Sequence, residues 1–480
     1  MQTLTPSLVF AYFMEICRIP RPSKHEEKII AYLLRFAERH ALSARCDAAG
    51  NVVIAKAATA GMEQRPTVVL QSHVDMVCEK NRDVVHDFFT DPIEPYIDGE
   101  WIKARGTTLG ADCGIGVAAS LALLASSDTP HGPLECLFTV DEETGLTGAA
   151  SLKPGFIDGR ILLNLDSEDE GELFIGCAGG IDTTALFPCL PEAAPGGWPA
   201  FTATVAGLTG GHSGDDINKG LANSNKLLTR FLWQAHRRCG IRLSHFDGGN
   251  LHNAIPREAT ATFVVPADRT VPLQQLFEQH ADECRNEYRY TEPNLRHTLA
   301  PAARPATVID SAAQAHLLNA LYACPHGVVA MSRAIDGLVE TSTNLASVKF
   351  LDRAVKVVTS QRSSVESAKY DIARMVESVF TEAGATVTHG DGYPGWTPNP
   401  SSPVLHVAVD AYRRLFDEEP KVKAIHAGLE CGLFLEKYPD LDMVSFGPTL
   451  RGVHSPDERL HIGSVQKFWD LLLEILRSIR

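Results

Sequence analysis

Two polar side chains stand two positions apart at the end of an apolar run. The stretch "VVLQSHVDMV", Val68 to Val77, begins like a buried β-strand and then places His73 and Asp75. Side chains at positions i and i+2 of a strand point to the same face, so this imidazole and carboxylate should project together. Such a pair is more often a hydrogen-bonded structural feature than a metal site. It indicates chemistry only if other predicted elements supply more ligands.

Other predicted elements do place metal-binding side chains at their ends. Asp112 opens the helix predicted for "DCGIGVAASLALLAS", Glu142 and Glu143 follow the strand "PLECLFTV", and Asp166 ends the strand "ILLNLDSED". His454 lies in the loop "GVHSPDE". Imidazole and carboxylate ligands without thiolate suit zinc, manganese or cobalt.

Five such ligands exceed the three that one catalytic zinc usually takes from a protein. The set His73, Asp112, Glu143, Asp166 and His454 therefore predicts two divalent metal ions, with one carboxylate bridging them. Zn²⁺ is the expected metal, with Mn²⁺ or Co²⁺ as alternatives. Glu142 is not needed as a ligand, and a carboxylate beside such a site is a natural general base.

The order of the elements predicts an α/β fold. Strands alternate with helices up to about residue 182 and again from 389 to 480, which predicts one catalytic domain built from two parts, 1–182 and 389–480. Residues 183–388 contain strands and helices in another order, resembling two βαββ-type units, and predict an inserted α+β domain. Active sites of α/β sheets form where the strands end, which is where the polar residues fall.

Composition excludes several classes of partner. The chain of 480 residues has a formal net charge of −15, which argues against binding to nucleic acid or to an anionic membrane surface. Its eleven cysteines are scattered with no C-x-x-C pair, as in proteins of a reducing cytosol. The N-terminus lacks the basic segment of a signal peptide, and no apolar stretch reaches bilayer-spanning length. A cytoplasmic location is expected.

Several motifs together resemble a known family. The segments "SHVDMV", "GADCGIGVA", "DEETG", "LNLDSED", "GGHSG" and "GPTLRGVHSPDE" are similar, in order and spacing, to those of the dinuclear zinc exopeptidases, which include carnosinases, aminoacylases and glutamate carboxypeptidases. The segments "RIPRPSKHE" and "HAGLECG" and the long insert resemble the bacterial aminoacyl-histidine dipeptidases. The resemblance implies a zinc-exopeptidase-type mixed sheet with helices on both faces, and an insert that acts as a lid.

The resemblance also implies roles for individual residues. His73 would bind one metal ion and His454 the other, with Asp112 bridging and with Glu143 and Asp166 completing one site each. Asp75 would hold the imidazole of His73 through its other nitrogen.

Glu142 would be the general base that later donates a proton to the leaving amine. A cis peptide bond between Asp112 and Cys113 is also implied. Many relatives have aspartate or methionine where this chain has Cys113, which could be a soft ligand. We expect it not to bind metal, because the set of five ligands is already complete.

Residues of the insert are expected to contact the substrate. In "GGHSG", the resemblance implies that His212 stabilises the developing oxyanion when the lid closes. Asn253 in "NLHNAIP" and Arg362 in "TSQRSS" are candidates for substrate binding, Arg362 because a guanidinium binds a carboxylate in a bidentate manner. An ion pair on the surface is an equally good interpretation of Arg362.

The resulting hypothesis is a metal-dependent dipeptidase that hydrolyses small unblocked dipeptides, such as Xaa-His and carnosine-like substrates. Two alternatives stay open: an amidohydrolase of N-acyl or N-carbamoyl amino acids with the same fold, and a non-catalytic metal-binding scaffold. A base at Glu142 argues against the scaffold. The sequence leaves the oligomeric state open, because family members with short inserts dimerise through them. A homodimer, or a duplicated insert that replaces the partner, would fit.

Overall fold

The computed structural model describes residues 4–480 and divides into two compact units. Unit 1 consists of residues up to Cys177 together with Trp396–Ala424 and Leu429–Arg480. Unit 2 consists of Ala178–Gly395 and the short segment Ile425–Gly428. The boundaries predicted from the sequence, 182/183 and 388/389, lie a few residues inside the ends of the long segment of unit 2.

The first part of unit 1 contains eight strands and five helices. They are α1 (Ser7–Ile16), α2 (Glu27–Arg39), β1 (Ser43–Cys46), β2 (Val52–Lys56), β3 (Val68–His73), β4 (Pro95–Asp98), β5 (Trp101–Ala104), α3 (Ala111–Ala125), β6 (Leu134–Thr139), α4 (Glu142–Gly145), α5 (Thr147–Ser151), β7 (Ile161–Asn164) and β8 (Glu172–Cys177).

Unit 2 follows with thirteen strands, four α-helices and one 3₁₀ turn. They are β9 (Gly179–Pro188), β10 (Pro191–Ala193), β11 (Ala200–Ala206), β12 (Gly211–His212), α6 (Ser224–Cys239), β13 (Arg242–Gly248), β14 (Ala254–Ile255), β15 (Ala259–Val264), the 3₁₀ turn Ala267–Arg269, α7 (Thr270–Glu287), β16 (Arg296–Pro301), β17 (Thr307–Ile309), α8 (Ser311–Ala323), β18 (Gly327–Met331), β19 (Val339–Phe350), β20 (Ala354–Ser363), α9 (Glu366–Glu382) and β21 (Thr386–His389).

The chain then returns to unit 1. The remaining elements are α10 (Pro403–Phe416), β22 (Lys421–Ile425), α11 (Glu430–Lys437), β23 (Asp442–Ser445), β24 (Leu450–Arg451), β25 (Arg459–His461) and α12 (Ile462–Ser478).

An eight-stranded mixed sheet organises unit 1. Its order is β1-β2-β6-β3-β7-β23-β8-β22, and the four central strands β6, β3, β7 and β23 run parallel to their neighbours in that group. Every residue of β3 and β6 is buried, as expected for strands covered on both faces. The predicted mixed α/β sheet is confirmed. A smaller sheet, β24-β25-β5-β4, lies beside it in the same unit.

Unit 2 is built on one nine-stranded antiparallel sheet. The order is β16-β11-β15-β13-β19-β20-β9-β21, with β18 paired to β19. A half of four strands and a half of five, which includes β18, meet where Asp247 and Gly248 of β13 pair with Lys349 and Val348 of β19. Two pairs of helices, α6 with α7 and α8 with α9, contribute to its core. The pattern that predicted two βαββ-type units thus corresponds to two halves of one sheet.

Alternation of apolar and polar residues defines the face that strand β11 of this sheet turns to the core. In β11, Phe201, Ala203 and Val205 are buried, whereas Thr202 and Thr204 between them are partly exposed. Successive side chains of a strand point to opposite faces, so the apolar set packs under the helices. Among the described residues, no helix is long and apolar enough to cross a membrane.

Two helices differ from what local sequence patterns indicate. Ser23 and Glu26 have the spacing of a capping box ahead of α2, but no side chain caps that helix. The Ser23 hydroxyl instead donates to Asp75, and the Glu26 carboxylate accepts the backbone N–H of Asp141. The whole of α7 was missed, because its apolar residues are interrupted by the charged run that ends at Glu287.

A buried carboxylate fixes the first turn of α3. Glu458 is 2% exposed, and its two oxygens accept four backbone N–H groups in succession, those of Leu109, Gly110, Ala111 and Asp112, at 2.6–3.3 Å. The first N–H groups of a helix have no partner within it, and a negative charge there is favoured by the helix dipole.

Gly110 makes this turn possible. It has a φ of 68°, and a Cβ at this position would lie 2.5 Å from Nη2 of Arg21. The buried guanidinium of Arg21 donates to the carbonyl oxygens of Val74, Asp75 and Gly110. Arg21 thus joins the loop after β3 to the start of α3.

Replacing Glu458 by glutamine should destabilise unit 1. The amide NH₂ would face two backbone N–H donors, and each donor left unsatisfied costs about 1–3 kcal/mol, so a loss of about 2–6 kcal/mol is expected. Urea unfolding followed by fluorescence measures it. Glu418→Gln makes the same chemical change at an exposed position and should stay within about 0.5 kcal/mol of the parent protein. Equal midpoints for the two variants would show that Glu458 does not hold this turn.

Candidate metal centre

Four neighbouring parallel strands deliver the polar residues of unit 1 to one edge of the sheet. β3 ends at His73, β6 ends two residues before Asp141, and β7 ends just before Asp166. β23 leads through β24 to the loop before β25, which carries His454 with a φ of 60°. Carboxyl ends of parallel strands meet at one edge, so residues far apart in the chain converge there.

Asp112 lies between two imidazoles. Its Oδ1 is 3.2 Å from Nε2 of His73, and its Oδ2 is 3.2 Å from Nε2 of His454. Nε2 of His73 is also 3.3 Å from Oδ1 of Asp166, and Nε2 of His454 is 2.9 Å from Oε2 of Glu143. The five side chains predicted as ligands therefore form two groups that share Asp112.

The spacing of these atoms fits metal coordination. Two ligand atoms at 2.0–2.2 Å from a tetrahedral zinc ion lie about 3.3–3.5 Å apart. The distances of 3.2 and 3.3 Å around His73 are close to that value. Oε1 of Glu143 and Oδ1 of Asp166 are buried and accept no hydrogen bond from any residue that the structure describes. Buried carboxylate oxygens without partners are costly, and a cation would satisfy them.

Charge at the site also favours cations. Burial alone lowers the pKa of His73, but the carboxylates of Asp166, Asp112 and Asp75 outweigh it and raise that pKa well above its ordinary value. Burial raises the pKa of Asp166 to about 6. Burial, with the carboxylates nearby, also raises the pKa of Glu142 well above the ordinary value. So much buried negative charge is stable only with positive partners.

Asp75 connects the ligand His73 with the segment that carries Glu142. Its Oδ1 lies 3.3 Å from Nδ1 of His73 and accepts the N–H of Glu142 at 3.1 Å. Its Oδ2 accepts the Ser23 hydroxyl at 2.8 Å and the N–H of Glu143 at 3.2 Å. Asp75 is fully buried. A carboxylate on the second nitrogen of a metal-binding histidine fixes the tautomer and orientation of the ring.

Glu142 lies beside the ligands at the start of α4. Its carboxylate and that of Glu143 lie within 4.8 Å of a ring nitrogen of His73. Its raised pKa makes it a stronger base than a solvated carboxylate. The arrangement suits proton transfer at the edge of a metal centre.

Cys113 is near the centre but its thiol is engaged elsewhere. The peptide bond between Asp112 and Cys113 is cis, as the resemblance implied. The Cys113 thiol donates to the carbonyl of Leu165 at 3.3 Å, and burial raises its pKa well above the ordinary value. Cys113 forms with His73 and Asp166 a group whose ligand atoms lie within 4.8 Å of one another, so the expectation that it does not bind metal depends on this hydrogen bond and on the set of five ligands being complete.

A buried carboxylate next to the centre was not singled out from the sequence. Glu430, in "HAGLECG", is 1% exposed, and its Oε2 accepts from Gln71 at 2.6 Å and from the Thr139 hydroxyl at 2.8 Å. Burial raises its pKa to about 8. Gln71 precedes His73 by two positions in β3, so this contact supports the strand that carries the ligand.

Unit 2 brings together two of its three predicted residues. Nη2 of Arg362 lies 3.5 Å from Nε2 of His212, and Nη1 donates to the Tyr393 hydroxyl at 2.8 Å. Asn253 contacts this region through its main chain, where its carbonyl accepts the N–H of Ser213 at 2.8 Å. A cavity of about 280 Å³ in this unit is lined by Arg362, Tyr393 and eight further residues.

Other residues of this region were missed at the sequence level. His426 accepts or donates a 2.7 Å hydrogen bond with the Ser342 hydroxyl, and burial lowers its pKa to about 4. His426 begins the segment "HAGLECG", so its place in a matching motif was the available signal. Tyr393 carries no such signal, because its hydrogen bond with Arg362 joins residues that are 31 positions apart in the chain.

Comparison with known proteins agrees with this geometry. Residues 69–478 match the profile of Peptidase family M20/M25/M40. The chain is 47% identical over 476 residues to the cytosol non-specific dipeptidase of Escherichia coli K12, covering 99% of this chain and 98% of that protein.

Solved structures give the same result. The aminoacylhistidine dipeptidase from Vibrio alginolyticus matches with a TM-score of 0.93 and 46% identity over 100% of this chain and 98% of that one. The aminopeptidase PepT from Bacillus cereus matches with a TM-score of 0.58 at 16% identity over 99% of each chain, which shows a shared fold. The chain belongs to Peptidase family M20/M25/M40.

Proposed function

We propose that the protein is a metal-dependent dipeptidase that hydrolyses small dipeptides with free termini, Xaa-His and carnosine-like ones among them. The observation that carries this proposal is Asp112, whose two oxygens face the imidazoles of His73 and His454 at 3.2 Å each. The names of the two relatives at 46–47% identity support the substrate class. The cysteines, none in a disulfide among the described residues, and the name of the Escherichia coli relative support a cytoplasmic location.

Two divalent ions, Zn²⁺ in our proposal and Mn²⁺ or Co²⁺ otherwise, would be held by the five side chains that converge on Asp112. These are His73, Asp112 and Asp166 for one ion, and His454, Asp112 and Glu143 for the other. When bound, such ions polarise the peptide carbonyl and lower the pKa of water.

In this proposal, Glu142 transfers the protons. Its carboxylate accepts a proton from the attacking water and later donates it to the nitrogen of the leaving amine. Asp75 keeps the donor atoms in place, because it accepts the N–H of Glu142 and lies against Nδ1 of His73. The raised pKa of Glu142 makes both transfers feasible near neutral pH.

Residues of unit 2 would bind the substrate, with this unit acting as a lid. Nδ1 of His212 lies 3.3 Å from Oδ2 of Asp215, and its Nε2 lies 3.5 Å from Nη2 of Arg362. With the ring placed by these contacts, the imidazole of His212 would donate a hydrogen bond to the oxygen of the tetrahedral intermediate. Arg362, 6% exposed and lining a cavity, is our candidate for binding the C-terminal carboxylate, with Asn253 as a further contact.

Substrate termini test the function. The metal-loaded enzyme should hydrolyse free dipeptides, should leave their N-acetyl forms nearly untouched, and should be slower on C-terminal amides. Arg362→Ala should lower kcat/KM for the free acid by about 10- to 100-fold, since a hydrogen bond to a charged group contributes about 1.5–3 kcal/mol. The amide should be unaffected, so the variant no longer distinguishes the two.

Arg238→Ala, at an exposed position on α6, is the matched control and should behave like the parent. Faster hydrolysis of acetylated than of free substrates would favour the amidohydrolase alternative. If Arg362→Ala still prefers the acid over the amide, the carboxylate is bound by another residue.

Two variants should distinguish loss of metal binding from loss of turnover. Asp112→Ala should lose both ions, because its two oxygens face both groups of ligands. Glu142→Gln should keep about two ions per chain while kcat falls by roughly 10²–10⁴-fold, the usual contribution of general acid–base catalysis. Metal analysis by plasma mass spectrometry and steady-state kinetics give both numbers. Exposed Glu79→Gln is the control. Near-normal kcat in Glu142→Gln with full metal content would exclude this base.

His212→Ala should keep the metals and the fold, and its kcat should fall by roughly 10²–10³-fold, as when one oxyanion donor is removed. KM should change less, because the donor acts in the transition state. His316→Ala, an exposed histidine on α8, should have no effect. An unchanged kcat in His212→Ala would refute the role.

A further inference from the structure

Unit 2 contains a second cluster of metal-type side chains, formed by His280, Cys284 and His297. Their ligand atoms all lie within 4.8 Å of one another. His280 and Cys284 stand four residues apart on α7 and so share one face of the helix. His297 is the second residue of β16, which lies at the edge of the nine-stranded sheet. None of the three belongs to the proposed catalytic machinery.

The geometry of this cluster fits thiolate and imidazole ligation. Sγ of Cys284 lies 3.5 Å from Nε2 of His280. A sulfur at about 2.3 Å and a nitrogen at about 2.0 Å from one ion would be about 3.5–3.8 Å apart. The ring of His297 stands edge-on to that of His280, with centroids 5.3 Å apart.

The ring nitrogens of His297 form no hydrogen bond with any residue that the structure describes. Both Nδ1 and Nε2 are buried. A buried polar group without a partner is costly, and a bound ion would satisfy one of these nitrogens. The residue as a whole is only partly buried, so an ion could enter from the edge of the sheet.

The protonation states suit a cation that can displace a proton. Burial lowers the pKa of His280 and that of His297 to about 4, so both rings are neutral with a free lone pair. Burial raises the pKa of the Cys284 thiol to about 12. Binding an ion therefore forms a metal–sulfur bond and releases the thiol proton to solvent.

The surroundings favour a monovalent ion over a divalent one. Phe231 and Phe277 pack against the histidines, and Cys284 is fully buried. The nearby Arg230 is paired with Glu283 and Glu287 at 3.0 and 2.8 Å. One thiolate leaves Zn²⁺ with a net positive charge in this apolar shell, whereas it neutralises Cu⁺.

Coordination number favours the same ion. Structural zinc is almost always four-coordinate, but this cluster offers three ligands from the described histidines, cysteines and acidic residues. Thiolate and imidazole ligands suit soft Cu⁺. We propose that His280, Cys284 and His297 bind one Cu⁺ ion and thereby fasten α7 to the edge strand β16.

Competition with a coloured chelator tests this proposal. The full-length protein, already loaded with its divalent metal, is added to Cu⁺ held by bicinchoninate in anaerobic buffer, and loss of the chelator's colour measures transfer. The parent should take up one equivalent more than Cys284→Ser or His297→Phe. The phenylalanine keeps the aromatic packing, so it tests the site even if Cys284→Ser folds poorly.

Two controls make the result specific. Cys46→Ser removes an exposed thiol and should keep the additional equivalent. Cu⁺ should also raise the melting temperature of the parent and of Cys46→Ser, but not of the two ligand variants, because only they lack the site. Equal uptake by the parent and His297→Phe, or uptake of an additional Zn²⁺ in place of Cu⁺, would overturn the proposal.

Discussion

The position of the Asp112 carboxylate is the constraint on which unit 1 depends. It must present one oxygen to His73 and the other to His454, residues that lie 39 and 342 positions away in the chain. Two buried side chains of opposite charge hold the main chain around it. Glu458 accepts the N–H groups before and at Asp112, and Arg21 donates to carbonyls on both sides of the turn. These contacts fix the main chain from which the Asp112 carboxylate projects.

Much of unit 1 could be predicted from the sequence because its signals are local. Apolar runs that end in His73 or Asp166 mark both a strand and the point where it delivers a ligand. The contacts of Ser23 and Glu26 could not be predicted. Their spacing is that of a capping box. Instead, the Ser23 hydroxyl donates to Asp75 and the Glu26 carboxylate accepts the N–H of Asp141, both more than fifty residues away in the chain. Sequence spacing cannot rank a local hydrogen bond against a buried long-range one.

In unit 2, the polar cluster could not be predicted from local signals. Alternating apolar and polar residues indicate many of its strands and helical apolar spacing indicates helices, but the polar cluster joins residues of different strands. Arg362 and His212 are 150 positions apart, and Arg362 reaches Tyr393 through a contact that no motif announces. Neighbours of this kind follow from strand order, which pairs β19 with β13 and β20 with β9. Strand order is set by the packing of the whole core, and a single sequence does not contain it in readable form.

Donor chemistry separates the two metal-type clusters of this chain. The centre in unit 1 offers carboxylates and imidazoles, and the thiol of Cys113 beside it stays bound to a carbonyl oxygen. The cluster in unit 2 offers a thiol and imidazoles with no carboxylate in the set. Carboxylate-rich sites suit hard and borderline divalent ions, and thiolate sites suit soft ones. Because charge density and ligand hardness differ between the clusters in the same direction, our proposals assign divalent ions to the carboxylate-rich centre and Cu⁺ to the cluster that contains the thiol.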